Sequence, residues 1–174
     1  MRWTRAFAVA LLFFPLVARP HSASDAYLTL KTVKSTAAQT RVEVQWDIAL
    51  RDLHVALALD DDGDGNLTWG EVRKHAARIA RHAHASLRTS GDGKACAIEP
   101  GRQAIATHAD GAYAALFFTI VCDGAPRKLA LDYRLFFAID PSHRGIVVFN
   151  GGGAIATALL SPDNPQVQFA LPGR

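Results

Sequence analysis

The chain has 174 residues, 49% of them apolar, and a formal net charge of +3. That length and apolar content fit one domain with a sizeable core and leave little room for a second. Arg2, Arg5 and Arg19 are the only charged side chains in residues 1–23 and carry the whole excess, so the remainder is formally neutral. No stripe of Lys and Arg with interleaved aromatics occurs later, which excludes nucleic acid as the expected partner.

Residues 1–23 read as a secretory signal peptide. Arg2 and Arg5 make a positive start, Ala6 to Val17 is an apolar run too short to cross a bilayer comfortably, and small residues follow. Ala23 is the preferred last residue of the signal and Ala18 the alternative. The Arg19-Pro20-His21 segment is irregular for a cleavage region, and an uncleaved N-terminal anchor is the competing reading. Export to a bacterial periplasm or medium is the expectation, with residues 24–174 as a single β-rich domain. No later apolar run has spanning length, so no transmembrane helix is expected there.

Tyr27 to Val33 and Val42 to Ile48 alternate apolar and polar side chains and are predicted to pair as strands across the polar tract Lys34 to Thr40. From Leu50 the period changes: Leu50, Leu53 and Leu57 fall at helical spacing. Asp60-Asp61-Asp62-Gly63-Asp64-Gly65-Asn66-Leu67-Thr68-Trp69-Gly70-Glu71 then fills the twelve-residue EF-hand calcium loop. Side-chain oxygens of Asp60, Asp62 and Asp64 take positions 1, 3 and 5, the carbonyl of Asn66 takes position 7, and Glu71 closes position 12 with two oxygens. These are hard donors suited to Ca2+. Gly65 supplies the sharp turn at position 6. The competing reading is an acidic, Gly-rich surface turn, since Asp and Gly favour turns for backbone reasons alone. Carboxylates packed this closely repel unless a cation sits among them.

After the loop, Val72, Ala76, Ile79, Ala83 and Leu87 form one apolar stripe, with Arg73, Lys74, Arg78 and Arg81 on other faces. A helix-loop-helix over about 50–88 is therefore predicted, and Thr68 with Glu71 has the spacing of a capping box. Ser90 to Lys94 is expected to end the helical region. Strands are predicted over Ala95–Ile98, Gln103–His108, Tyr113–Cys122, Lys128–Leu135, Gly145–Phe149, Ala154–Leu160 and Val167–Leu171, separated by turns at Asp110-Gly111, Asp123-Gly124 and Asn150 to Gly153. The fold class expected is α+β, mostly β: an antiparallel sandwich-like domain with the helix-loop-helix inserted. Cys96 and Cys122 are the only cysteines. In an exported chain they read as a disulfide worth about 3 kcal/mol, with two buried thiols as the alternative.

Ser24-Asp25-Ala26-Tyr27-Leu28, then Trp46 to Leu53 running into the acidic loop with Trp69-Gly70-Glu71, and Asp140-Pro141-Ser142-His143-Arg144-Gly145 resemble the exported N-terminal region of bacterial membrane proteins of the HupE/UreJ type. The resemblance covers nearly all of residues 24–174. It implies an accessory role beside nickel transport or metalloenzyme maturation, with a membrane-protein partner, although the membrane half is missing here.

Three classes of function follow, and a protein-interaction module using a sheet edge or the exposed helix overlaps the first. The first is a non-enzymatic, exported calcium-binding protein whose single loop holds a structural ion. The second is the metal-handling accessory, in which His75 and His82 share a helical face with His84 and His54 nearby. Their i, i+7 spacing is poor for a tight site, so solvated helix-surface histidines are the simpler reading, and His143 reads as a turn or strand-end residue rather than a ligand. The third is an enzyme, for which no nucleophile elbow, phosphate loop or His-Glu-x-x-His motif is found; Asp132, Asp140 and His143 have no defined geometry. The expectation is a protein that is not an enzyme.

Overall fold

Period-two alternation sorts most of this chain into strands with one buried face. The computed structural model describes residues 24–151, 153 and 155–172, without the side chain of Val33, so the expected signal peptide lies outside the described residues. In chain order the elements are β1 (Asp25–Ser35), β2 (Gln39–Ala49), α1 (Leu50–Leu57), α2 (Trp69–Lys74), α3 (Ala76–Ala85), β3 (Leu87–Gly91), β4 (Lys94–Ala95), β5 (Ala97–His108), β6 (Gly111–Asp123), β7 (Lys128–Tyr133), β8 (Arg144–Asn150), β9 (Ile155–Leu160) and β10 (Gln166–Ala170). The protein is α+β and mostly β. None of the described helices is long and apolar enough to cross a membrane.

A six-stranded sheet has the order β5-β6-β2-β1-β8-β9, and a four-stranded sheet the order β10-β7-β3-β4. In the larger sheet Leu28 stands opposite Trp46 and Leu30 opposite Val44, while Trp46 and Val44 in turn face Leu116 and Phe118. All six are buried, as are Leu129, Leu131 and Tyr133 of the smaller sheet, and the two sheets share one apolar core. Trp46 meets the Tyr133 ring, and Phe149 stacks on Phe169, across that core. The helices lie in sequence between β2 and β3. They add Leu50, Leu53, Val72, Ile79 and Ala83 to the same cluster.

Several expectations are corrected. The sheets are not purely antiparallel, because β1 pairs with β8 in parallel. The second helix is two segments meeting at His75, and it ends at Ala85 rather than about residue 88. Leu87 opens β3; it is buried either way, and for that reason it extended the helical stripe. Ser90 to Lys94 is a hairpin between β3 and β4, with Asp92 and Gly93 both at positive φ (47° and 84°). Of the two strands expected over residues 95–108, Ala95 falls in β4, and the rest from Ala97 merge into β5, with a register shift between Pro100 and Gln103.

Candidate metal centre

Helix α1 stops because Ala58 adopts the left-handed conformation, φ 46°, and its N–H bonds the carbonyl of His54 at 2.7 Å. Leu59, fully buried, then anchors the chain before the acidic loop. Gly63 and Gly65 sit at φ 74° and 82°, where a side chain would be strained. Thr68 caps α2 in a complete capping box: the Glu71 amide donates to Thr68 Oγ1, and the Thr68 amide donates to Glu71 Oε2 at 2.8 Å.

One carboxylate oxygen from each of Asp60, Asp62 and Glu71 lies within 4.8 Å of the others, forming a possible acidic metal-binding group. The backbone aims these oxygens. Asp60 accepts the amides of Gly63 at 2.7 Å and Gly65 at 2.9 Å, one on each oxygen; Asp62 Oδ1 accepts that of Asp64 at 3.2 Å; Glu71 Oε1 accepts that of Asp61 at 2.7 Å. Each carboxylate oxygen retains lone-pair capacity after these bonds. Asp64 turns Oδ1 to the Asn66 amide at 2.7 Å, and Asp64 and Asn66 lie outside the three-carboxylate group.

The amides of Gly65 and Gly63 hold the Asp60 carboxyl below its ordinary range, and the amide and hydroxyl of Thr68 do the same for Glu71. Asp62 shifts the other way. The Asp64 amide lowers it, but repulsion from Asp64, desolvation and the neighbouring Asp60 and Glu71 together raise it. Like charges therefore crowd this loop, a condition that a divalent cation would relieve.

Asp61, at the one acidic loop position not expected to ligate, has another role. It accepts Lys74 Nζ at 2.7 Å and lies 2.9 Å from His75 Nε2, tying the loop to the α2–α3 junction. Arg78 of α3 reaches back to the carbonyls of Leu57 and of Ala58, the latter at 3.1 Å, and so satisfies the end of α1.

The histidines of the helices do not converge. His75 bonds Asp61, the His82 ring stacks on Phe136, and His84 meets Phe118 edge-on. His82 and His84 are not solvated surface residues either. The Nε2 atoms of His82 and His84 are buried without a hydrogen-bond partner among the described residues, and desolvation lowers both pKa values.

His143 does close a turn at the start of β8, its amide bonding the Asp140 carbonyl, but its side chain is fully buried and part of a polar chain that sequence reasoning missed. The Ser24 hydroxyl donates to Asp52 Oδ2 at 2.9 Å and lies 2.7 Å from His143 Nδ1, while the Tyr133 hydroxyl lies 2.6 Å from Nε2. Since the single hydroxyl proton of Ser24 goes to Asp52, His143 must donate from Nδ1 and accept from Tyr133 at Nε2, which assigns the neutral tautomer. Burial lowers the pKa of His143 to about 4 and pushes the Tyr133 phenol well above its ordinary value. Gly145 makes room for this arrangement, because a Cβ there would lie 3.0 Å from the Tyr133 ring. Segments 24–28, 46–53 and 140–145, far apart in the chain, thus meet at Ser24, Asp52 and His143, a convergence no local pattern encodes. Asp132 pairs with Arg134 instead of joining Asp140 and His143. No protein-family model matches the chain, and no curated protein matches it at a significant level.

Proposed function

We propose that this is an exported calcium-binding domain in which a single EF-hand-type loop holds one Ca2+ as a structural ion within a β-sandwich. The observation that carries the reading is the convergence of Asp60, Asp62 and Glu71 oxygens within 4.8 Å. Asp60, Asp62 and Asp64 would supply side-chain oxygens, Asn66 its carbonyl, and Glu71 two oxygens from α2. The amides that already orient Asp60, Asp62 and Glu71, and the Asp61 contacts to Lys74 and His75, support a loop arranged before the ion arrives, which suits a structural site better than a switch. A lone hand of this kind is expected to bind weakly, on the order of 10⁻⁴ to 10⁻³ M. Export is supported by the Cys96–Cys122 disulfide, which fits an oxidising compartment.

A second reading, the accessory module of a HupE/UreJ-like metal system with a membrane-protein partner, draws on the meeting of residues 24–28, 46–53 and 140–145 at Ser24, Asp52 and His143. In that reading too the loop takes calcium, because the helix histidines are engaged separately with Asp61, Phe136 and Phe118.

Thermal melting with and without calcium tests the first reading. A ligand bound only to the native state at about ten times Kd adds about 1.4 kcal/mol. Glu71→Gln should lose most of that gain. Asp61→Asn should lower the starting stability, through its lost contacts to Lys74 and His75, yet keep the calcium-dependent gain. Magnesium, which demands a tighter octahedral shell, should substitute poorly. No calcium-dependent gain at millimolar concentration, or equal gains in the two variants, would reduce the loop to an acidic turn.

A further inference from the structure

A strand at the edge of a sheet presents unpaired N–H and C=O groups, so a fold either guards that edge or uses it. The two sheets here end in β5, β9, β10 and β4. Strand β4 is only two residues long. Strand β5 carries Glu99, Pro100 and Arg102 at a register shift, and β10 is five residues between Pro165 and Pro172. Proline, charge, bulges and brevity are the devices that block edge pairing.

Strand β9 has none of them. Its sequence Ile155-Ala156-Thr157-Ala158-Leu159-Leu160 contains no charge and no proline, and it pairs with β8 without a break in register. Among the described residues no strand pairs with its other edge. Ile155 and Leu159 are 71% and 57% exposed, two of the largest apolar exposures among the described residues. With Thr157 they lie on the outer face of the sheet, beside Ile146 and Val148 of β8, which stand opposite Leu159 and Thr157.

We propose that β9 pairs antiparallel with β9 of a second copy of this chain, about a two-fold axis at Thr157, so that the two six-stranded sheets become continuous. The strand is its own complement in that register. Ile155 of each copy opposes Leu159 of the other, Ala156 opposes Ala158, and Thr157 opposes itself. Large apolar side chains thus meet large ones on the outer face, small ones meet on the other, and a Thr–Thr pair sits on the axis, all favourable cross-strand pairs. A two-fold interface brings each residue near its own image, so an edge bearing a charge near the axis would repel its copy, and this edge bears none. The pairing is independent of the calcium reading, since β9 and the acidic loop belong to different parts of the chain.

Sedimentation velocity of the purified protein across the micromolar range tests this. The mass should rise from one chain to two with concentration. Thr157→Lys, which places two ammonium groups face to face at the axis on an exposed position, should stay monomeric with an unchanged circular dichroism spectrum. Thr157→Cys should form an interchain disulfide on mild oxidation, because residues paired across the axis come within disulfide reach, whereas Gln103→Cys on the guarded β5 edge should not. A native protein that stays monomeric throughout overturns the proposal, as does a Thr157→Lys variant that dimerises like the native chain, or Gln103→Cys cross-linking as readily as Thr157→Cys.

Discussion

With both ring nitrogens engaged and no exposed surface, His143 resists protonation in the folded chain, with a pKa of about 4. An unfolded chain takes that proton near 6.5. Between those values the unfolded state binds the extra proton, so stability falls as pH drops from about 6.5 to about 4 and this residue costs nothing further below that. The full swing is about 3 kcal/mol. Asp52 opposes it in part, because burial raises its carboxyl and the folded state therefore holds that proton more tightly. The depressed carboxyls of Asp60 and Glu71 act in the same direction as His143 but at lower pH, below their ordinary values. Urea midpoints measured across this range should show the slope in the native protein and a flatter one in His143→Gln, whose side chain does not titrate. Equal slopes would mean that His143 titrates normally. None of this was legible in the sequence. Polarity and the neighbouring Pro141 mark His143 as a turn residue, whereas its burial comes from Ser24 and Tyr133, which β1 and β7 bring to it from distant parts of the chain.

At the level of elements, the acidic loop was the most legible segment in its backbone, because turn glycines and capping are local chemistry. Thr68 and Glu71 form the capping box their spacing predicted. Thr68→Ala should cost about 1 kcal/mol through the lost cap. It should also reduce the calcium-dependent gain less than Glu71→Gln does, since Thr68 orients Glu71 without being expected to ligate. Chemical denaturation with and without calcium separates the two effects; an equal loss in both variants would give Thr68 a direct part in binding. The break at His75 was not legible, because the stripe of Val72, Ala76, Ile79 and Ala83 runs through it unchanged. Nor was the parallel partner of β1: alternation tells which face of a strand is buried and says nothing of which strand lies beside it.

The whole molecule depends on ties between the sheets. Cys122 belongs to β6 of the larger sheet, while Cys96, just past β4, still bonds the Thr89 carbonyl of β3 in the smaller one, so the disulfide joins the two layers. Reduction, or the double change of Cys96 and Cys122 to Ser, should cost roughly 3 kcal/mol in the chain-entropy description, measured as a shift in the urea midpoint. No shift would mean that strain in the bridge cancels its constraint on the unfolded chain. The parallel pairing of β1 with β8 has a consequence of another kind. The buried contact between Ser24 and His143 closes over 119 residues of sequence, and β1 waits for a parallel neighbour, β8, that is synthesised long after it. Such long closures slow folding and leave the opening strand half-paired meanwhile. A chain that stops short of Arg144 would leave one flank of β1 open, so the stability of the larger sheet hangs on a strand made more than a hundred residues after the one it guards.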